Sequence, residues 1–331
     1  MKAITVKDPA AGVEGLTLTD RPAPHAAEND VIVRVHAAGF TSGELEWPGT
    51  WTDRAGRDRT PSVPGHELSG VVTELGYGTT GLTVGQRVFG LADWTRDGSL
   101  AEFTAVEARN LAPLPTDVEH AVGAALPVSG LTAWQALFDH GRLEAGQTVL
   151  IHGAAGGVGS LAVQLARRAG ATVIGTGRAG NRQVALDLGA DAFVDLENER
   201  LEDVGEVDVV LDVFGEEIGV QSAGLVRAGG TLVTIAAPPE VEPRYGRSVF
   251  FVVEADRARL AELVALVREG NLRVPIGSRH SLAEAPQAFA SGRQGGGKPI
   301  VVVSPQPVAG HDPHRSRQRF ARPACARCAT S

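Results

Sequence analysis

A run of small residues set between an apolar strand and a helix constrains this chain more than any other feature. His152-Gly153-Ala154-Ala155-Gly156-Gly157-Val158-Gly159 directly follows the apolar run Thr148-Val149-Leu150-Ile151. It opens a helical stretch, Gly159 to Ala169, in which Leu161 and Leu165 share a face near Ala162 and Ala166. Strand, glycine turn and helix in that order suit a dinucleotide pyrophosphate. Small side chains let the backbone approach the phosphates, and the helix start offers free N–H groups and a partial positive charge. The candidate contacts are Gly153, Ala154, Ala155, Gly156, Gly157, Val158 and Gly159. A tight turn with no ligand is the plain alternative.

The chain changes texture around this turn. From Val118 onward, apolar strands alternate with helical segments. Thr148–His152, Thr172–Thr176, Ala192–Asp195, Val207–Asp212, Thr231–Ile235 and Phe250–Val253 read as strands, and Ala255–Arg268 as a helix. That alternation predicts a parallel, doubly wound sheet buried on both faces. The segment before Val118 reads as short strands broken by glycine and proline: Val31–His36 alternates with period two, and Leu68–Leu75 is an apolar, β-branched run ended by Gly76. A similar texture returns after residue 270, with Leu282–Ser291 as a helix and Pro299–Val303 as a last strand. The tail from Ser304 holds five arginines, several prolines and one acid, Asp312, and reads as disordered.

The end of the second strand of the parallel sheet selects the nucleotide. An NAD site usually carries an acidic residue there for the ribose hydroxyls. This chain has Gly175-Thr176-Gly177-Arg178-Ala179-Gly180-Asn181-Arg182, without a carboxylate. Arg178 suits a forked contact to a 2′-phosphate, with Thr176, Arg182 or both assisting, so NADP(H) is the expected cofactor. The plain alternative is that Arg178 and Arg182 are solvated surface cations.

Composition excludes other functions. A length of 331 residues with 43% hydrophobic and 21% charged residues fits two globular domains. No apolar run approaches the roughly 18–20 residues of a membrane span, and the first residues form no secretory signal, so a soluble cytoplasmic protein is expected. With 31 basic against 39 acidic residues, the net charge of −8 argues against nucleic-acid binding. The only cysteines are Cys325 and Cys328, which leaves the body without a disulfide, a thiolate nucleophile or a cysteine-based zinc site. His311, His314, Cys325 and Cys328 form an alternative four-ligand set, but their proline- and arginine-rich setting argues against a folded knuckle.

Several further motifs occur in a fixed order. They are Ala38-Gly39-Phe40, Pro64-Gly65-His66-Glu67-Leu68-Ser69-Gly70, Gly85-Gln86-Arg87-Val88-Phe89-Gly90, Leu126-Pro127-Val128-Ser129-Gly130-Leu131-Thr132-Ala133-Trp134, Leu188-Gly189-Ala190-Asp191 and Gly297-Lys298-Pro299-Ile300-Val301. Together with the glycine turn, they resemble the medium-chain dehydrogenase/reductase superfamily over residues 1–304, and within it the zinc-free quinone oxidoreductase branch. The resemblance implies an α/β fold: a GroES-like β-rich catalytic domain (residues 1–122 and 270–304) and an inserted Rossmann NADP(H)-binding domain (123–269), with 305–331 as a basic tail. It also implies a homodimer through the outermost strand near Phe250–Val253. By the same match Thr41, Ser129, Thr132, Phe214, Ala236, Phe251, Val252 and Lys298 are expected on the cofactor side. A surface role is the alternative for Lys298.

Two departures from the superfamily pattern bear on the chemistry. Zinc members bind their catalytic metal through a Cys, the His of the Gly-His-Glu motif and a second Cys. Here neither Gly39–Glu44 nor Val128-Ser129 supplies a Cys, and His66 with Glu67 is a poor zinc set. No metal is expected, and His66 reads as a retained structural histidine. Quinone oxidoreductases also carry Asn-x-x-Asp followed by Tyr. This chain reads Thr41-Ser42-Gly43-Glu44-Leu45-Glu46-Trp47-Pro48-Gly49-Thr50-Trp51, with Glu44 in the Asp place and Trp47 or Trp51 where the aromatic stands. Two tryptophans in a glycine-containing loop suit a flat substrate, or they cap a hydrophobic edge. Glu44, if buried, His66 and bulk water are the candidate proton donors.

The expected activity is NADPH-dependent reduction of a small-molecule quinone or α,β-unsaturated carbonyl, whose own carbonyl delocalises the incoming charge. A zinc alcohol dehydrogenase is disfavoured by the missing cysteines. A non-catalytic NADPH-binding redox sensor or nucleic-acid binder is supported only by the basic tail, and turnover discriminates it from the enzyme.

Overall fold

The computed structural model describes residues 1–41, 43–291 and 297–303. The basic tail from Ser304 and its His/Cys set lie outside the described residues.

The N-terminal hairpin pairs β1 (Lys2–Thr5) with β2 (Thr17–Asp20). The chain then builds β3 (Asp30–Gly39), a short helix α1 (Pro48–Trp51), β4 (Glu67–Leu75), β5 (Arg87–Leu91), β6 (Phe103–Glu107) and β7 (Leu111–Pro113). Its end returns as β14 (Ile276–Ser281), α8 (Ala285–Ser291) and β15 (Lys298–Val302). These strands form one sheet in the order β14-β15-β3-β4-β5-β7, with β6 paired to β3. β15 lies antiparallel to β3, so both ends of the chain make this domain. Val31, Val33 and Val35 are fully buried, as the period-two pattern requires.

The middle of the chain supplies α2 (His120–Ala125), α3 (Pro127–Trp134), β8 (Thr148–Ile151), α4 (Gly157–Arg168), β9 (Thr172–Gly177) and α5 (Arg182–Asp187). It continues with β10 (Ala192–Asp195), β11 (Val207–Asp212), α6 (Glu216–Ala223), β12 (Val226–Thr234), β13 (Arg247–Phe250) and α7 (Arg257–Arg268). The six strands are parallel in the order β10-β9-β8-β11-β12-β13, the doubly wound arrangement whose order reverses beside the first strand. The chain therefore has a GroES-like domain and a Rossmann-like parallel sheet. The residue 122/123 boundary falls inside α2, where Ala121, Ala124 and Ala125 pack with Ala37 and Ile300 of the first sheet. One apolar core joins Phe89, Leu91 and Ala112 of the first sheet to Leu131, Leu161 and Leu263 of the second domain.

Most element positions follow the sequence, and the differences have local causes. β13 ends at Phe250, so Phe251–Val253 is not strand. Its neighbour β12 stops at Thr234, paired with Phe250, which leaves no ladder for the next residues. Alternation persists there (Phe251 buried, Val252 exposed, Val253 buried) because the chain still crosses a core edge. β12 starts earlier than Thr231, at Val226, with a register shift across Gly229-Gly230. The helix expected from Leu282 begins as a 3₁₀ turn, Leu282–Glu284, fixed by a capping box between Ser281 and Glu284. Among the described residues, no helix is long and apolar enough to cross a membrane.

Candidate active site

The glycine turn lies where β8 gives way to α4. Gly153 has φ +63°, a left-handed conformation that favours glycine. Any side chain at Gly159 would overlap the carbonyl oxygen of Gly153, which fixes how closely α4 packs on the turn. Gly156 N–H donates to Gly153 O at 2.8 Å and leads into α4, whose start has no side-chain cap. Ala154, Ala155 and Gly159 are buried, while Gly156 is exposed and Gly153, Gly157 and Val158 are half-buried. An open rim of backbone above a packed floor fits a pyrophosphate.

A buried imidazole stabilises the floor. His152 lies between Thr176 Oγ1, 2.8 Å from Nδ1, and Ser222 Oγ, 2.7 Å from Nε2. Ser222 donates its own hydroxyl to Ile218 O at 2.6 Å, so Nε2 carries the ring hydrogen and Nδ1 accepts from Thr176. Burial holds His152 down to about 4, and it stays neutral. Thr176 is fully buried, so it supports the turn from below rather than offering its hydroxyl to a ribose.

The two arginines after β9 differ. Arg182 donates to Phe193 O at 2.7 Å and to Glu199 at 2.7 Å, and its guanidinium lies over the Phe193 ring. It clamps α5 to β10. Arg178 is 76% exposed and meets only Glu197, at 3.4 Å among the described residues, so its guanidinium is the one available beside the end of β9. Phe214 follows β11 and is exposed beside the turn, and Asp212 accepts from Phe214 N at 2.9 Å to shape that corner. Ala236 is exposed next to Gly215, where a Cβ would lie 3.0 Å from the Ala236 Cβ. Phe251 is buried with its ring 4.4 Å from His140, and Val252 is exposed.

Across from the turn, Glu67 and Lys298 form a buried ion pair. Glu67 Oε2 also accepts Val128 N at 2.8 Å, and Lys298 Nζ donates to Ser129 Oγ at 3.3 Å. Burial pushes the Glu67 carboxyl up, and Lys298 and Val128 offset part of that. This knot ties β4 and β15 to the start of α3. Ser129 Oγ lies 3.2 Å from where a Cβ of Gly157 would stand, so the knot reaches the phosphate rim. Thr132 is buried one turn further along α3.

The third cluster sits on the loop after β3. Glu44 is buried; its Oε1 accepts from Gly65 N and lies 2.7 Å from His66 Nδ1, and its Oε2 accepts from Thr41 N at 3.2 Å. Thr50 Oγ1 donates back to Glu44 O at 2.6 Å, which closes the loop around the carboxylate. Trp47 stands over His66 with ring centroids 6.2 Å apart. Trp94 completes the cluster, 5.0 Å from His66 and edge-on to Trp47 at 5.0 Å. Trp51 is not part of this wall: its indole donates to Leu45 O at 2.9 Å and packs on the first domain's core.

Sequence reasoning missed Trp94, His152 and the Glu67–Lys298 pair. Trp94 has only a weak signal, an aromatic three residues past the strand end at Leu91. His152 and Glu67 stood inside motifs, but their partners are distant in sequence. Among the described residues, no group of three or more His, Cys, Asp or Glu is placed to hold a metal ion. With no cysteine beside His66, the imidazole and the Glu44 carboxyl are the donors left among the described residues, short of the three protein ligands of a catalytic zinc site.

Two family profiles match: an alcohol dehydrogenase GroES-like domain over residues 27–116 and a zinc-binding dehydrogenase domain over 188–302. A protein of the spectinabilin polyketide synthase system of Streptomyces orinoci is 36% identical over 85% of this chain, which spans 14% of that protein's length. The 2-methylene-furan-3-one reductase of Solanum lycopersicum is 32% identical, covering 86% of this chain and 74% of its own. The quinone oxidoreductase of Rattus norvegicus is 30% identical, covering 89% and 96%. Among solved structures, the quinone oxidoreductase of Coxiella burnetii superposes with a TM-score of 0.83 at 28% identity, covering 92% and 99%. A mycobacterial protein complexed with NADPH gives 0.79 at 27% identity, covering 92% and 100%.

Proposed function

Because the chain belongs to the medium-chain dehydrogenase/reductase superfamily as a quinone oxidoreductase-like protein, we propose that it transfers hydride from NADPH to a quinone or an α,β-unsaturated carbonyl without a metal. The observation that carries this reading is the pairing of two sites: an open glycine turn on one domain and, from the other, an aromatic wall around a carboxylate–imidazole pair where the superfamily's zinc members hold metal.

NADPH, when bound, supplies the hydride. The rim Gly156–Val158 and the partial positive charge of α4 hold the pyrophosphate. Arg178 takes the 2′-phosphate as a charge-assisted fork, in a position where an NAD site would place a carboxylate. Phe214 and Ala236 edge the nucleotide cleft at the carboxyl ends of β11 and β12. The Glu67–Lys298 knot fixes the distance between the domains, so that cofactor and acceptor meet in one geometry. Trp47 and Trp94 present ring faces and edges to a flat conjugated acceptor and exclude water. The relatives named as a quinone oxidoreductase and a furanone reductase support this acceptor class, and the NADPH complex of the mycobacterial neighbour supports the nucleotide.

The test is NADPH absorbance with purified, metal-analysed protein against quinones, enones and simple ketones. The expected outcome is oxidation with quinones or enones, none with simple ketones, and no dependence on added zinc. Zinc-dependent turnover of alcohols, or NADPH binding without turnover on any acceptor, overturns the reading.

A further inference from the structure

The ring nitrogen Nε2 of His66 is buried and, among the described residues, has no hydrogen-bond partner. Leaving a buried polar atom unpaired is costly, so this nitrogen calls for a partner that arrives from outside. The opposite nitrogen, Nδ1, faces the Glu44 carboxylate at 2.7 Å, an ion-pair contact short of hydrogen-bond alignment. Glu44 accepts from Gly65 N and Thr41 N, so the imidazole is backed by a carboxyl group held in place. Trp47 and Trp94 meet each other edge-on beside the same ring. An imidazole faced by a carboxyl group on one nitrogen, unpartnered on the other and set beside two indoles has the parts of a proton donor to an oxygen on a flat ligand.

We propose that His66 Nε2 meets the carbonyl oxygen of the acceptor and gives it its proton, with Glu44 as the counter-charge of the imidazolium; this rests on the reductase reading above. Two electrons arrive at the acceptor as hydride on the β-carbon, and the alkene π pair moves to leave negative charge on the carbonyl oxygen. The Nε2–H bond breaks, an O–H bond forms, and the neutral enol leaves to become the saturated ketone. The imidazole, now neutral, recovers a proton from solvent. The two indoles stand beside the ring that meets the acceptor, so acceptor binding alters tryptophan fluorescence.

Three forms are compared: the unaltered protein, His66→Asn and Glu44→Gln. NADPH affinity, read from nicotinamide fluorescence, is expected to stay within about twofold in all three, which also reports folding. Reduction of 2-cyclohexen-1-one is expected to fall about 100-fold or more in His66→Asn, the usual scale of a lost general acid, and less in Glu44→Gln. Titration with 4-hydroxyacetophenone, which carries no reducible alkene, is expected to quench tryptophan fluorescence and to bind about tenfold more weakly to His66→Asn. A His66→Asn protein that binds NADPH and reduces the enone at the unaltered rate overturns the proposal. If His66→Asn does not fold, an unchanged enone rate in Glu44→Gln overturns it. If the unaltered protein reduces no acceptor, the reductase reading fails by itself, and the titration still decides whether Nε2 contacts a ligand oxygen.

Discussion

At the scale of single residues, the two arginines after β9 carry different work despite being four positions apart. Arg182 spends its guanidinium on Phe193 O, Glu199 and the Phe193 ring, whereas Arg178 projects with one loose partner. Arg178→Ala is therefore expected to raise the KM for NADPH about 10- to 100-fold, the size of a lost charge-assisted hydrogen bond, and to leave the KM for NADH nearly unchanged. Arg182→Ala is expected to lower thermal stability without shifting the NADPH-to-NADH ratio. Steady-state kinetics with both nucleotides checks the pair, and equal losses for NADPH and NADH in Arg178→Ala would rule out the 2′-phosphate role.

At the scale of elements, the junction of β4, β15 and α3 depends on one buried ion pair. Removing Lys298 leaves the Glu67 carboxylate without its charge partner, and breaking such a pair costs about 3–5 kcal/mol. Lys298→Met is expected to be destabilised on that scale at neutral pH. The sign of the pH effect follows from Glu67, which burial pushes above its ordinary value. A carboxyl raised in the folded state favours folding at low pH, and that advantage is lost as pH rises through its folded value. The deficit of Lys298→Met should therefore shrink as pH falls toward 5, whereas a surface lysine control should show no such recovery. Denaturant melts at several pH values decide this.

At the scale of the whole molecule, two buried imidazoles set acid tolerance in the two halves of the fold. His152 lies under the glycine turn, held to about 4 by burial. His120 stacks on His36 at 4.4 Å, bonds Ser69 Oγ at 2.8 Å and is held to about 3, again chiefly by burial. Both are depressed in the folded chain, so the unfolded chain binds more protons below about 6.5. Stability is expected to fall progressively as pH drops from about 6.5 toward 4. His120→Phe, which keeps a stacked ring but cannot protonate, should flatten that slope in melting temperature against pH; an unchanged slope would place the acid lability elsewhere.

The sequence by itself determined the parallel sheet, the glycine turn and the short strands of the β-rich domain, because strand alternation and glycine-dependent backbone geometry are local properties that neighbouring residues reveal; that those strands make a GroES-like sheet was what the family resemblance implied. It also fixed the absence of cysteine from the body, and with it the poor donor set around His66. Only the tertiary structure decided which side chains converge. Trp94 joins Trp47 and His66 although the three come from separate segments, while Trp51, in the same loop as Trp47, turns to the core. Thr176 and Arg182 read as cofactor contacts until their partners, His152 and Phe193, are in place. The end of β13 was hidden for the same reason: a strand stops where its neighbour stops, and Thr234 is sixteen residues away from Phe250. Local pattern sets an element and the face it buries, but hydrogen-bond partners and ion pairs between distant segments exist only once the chain has closed on itself.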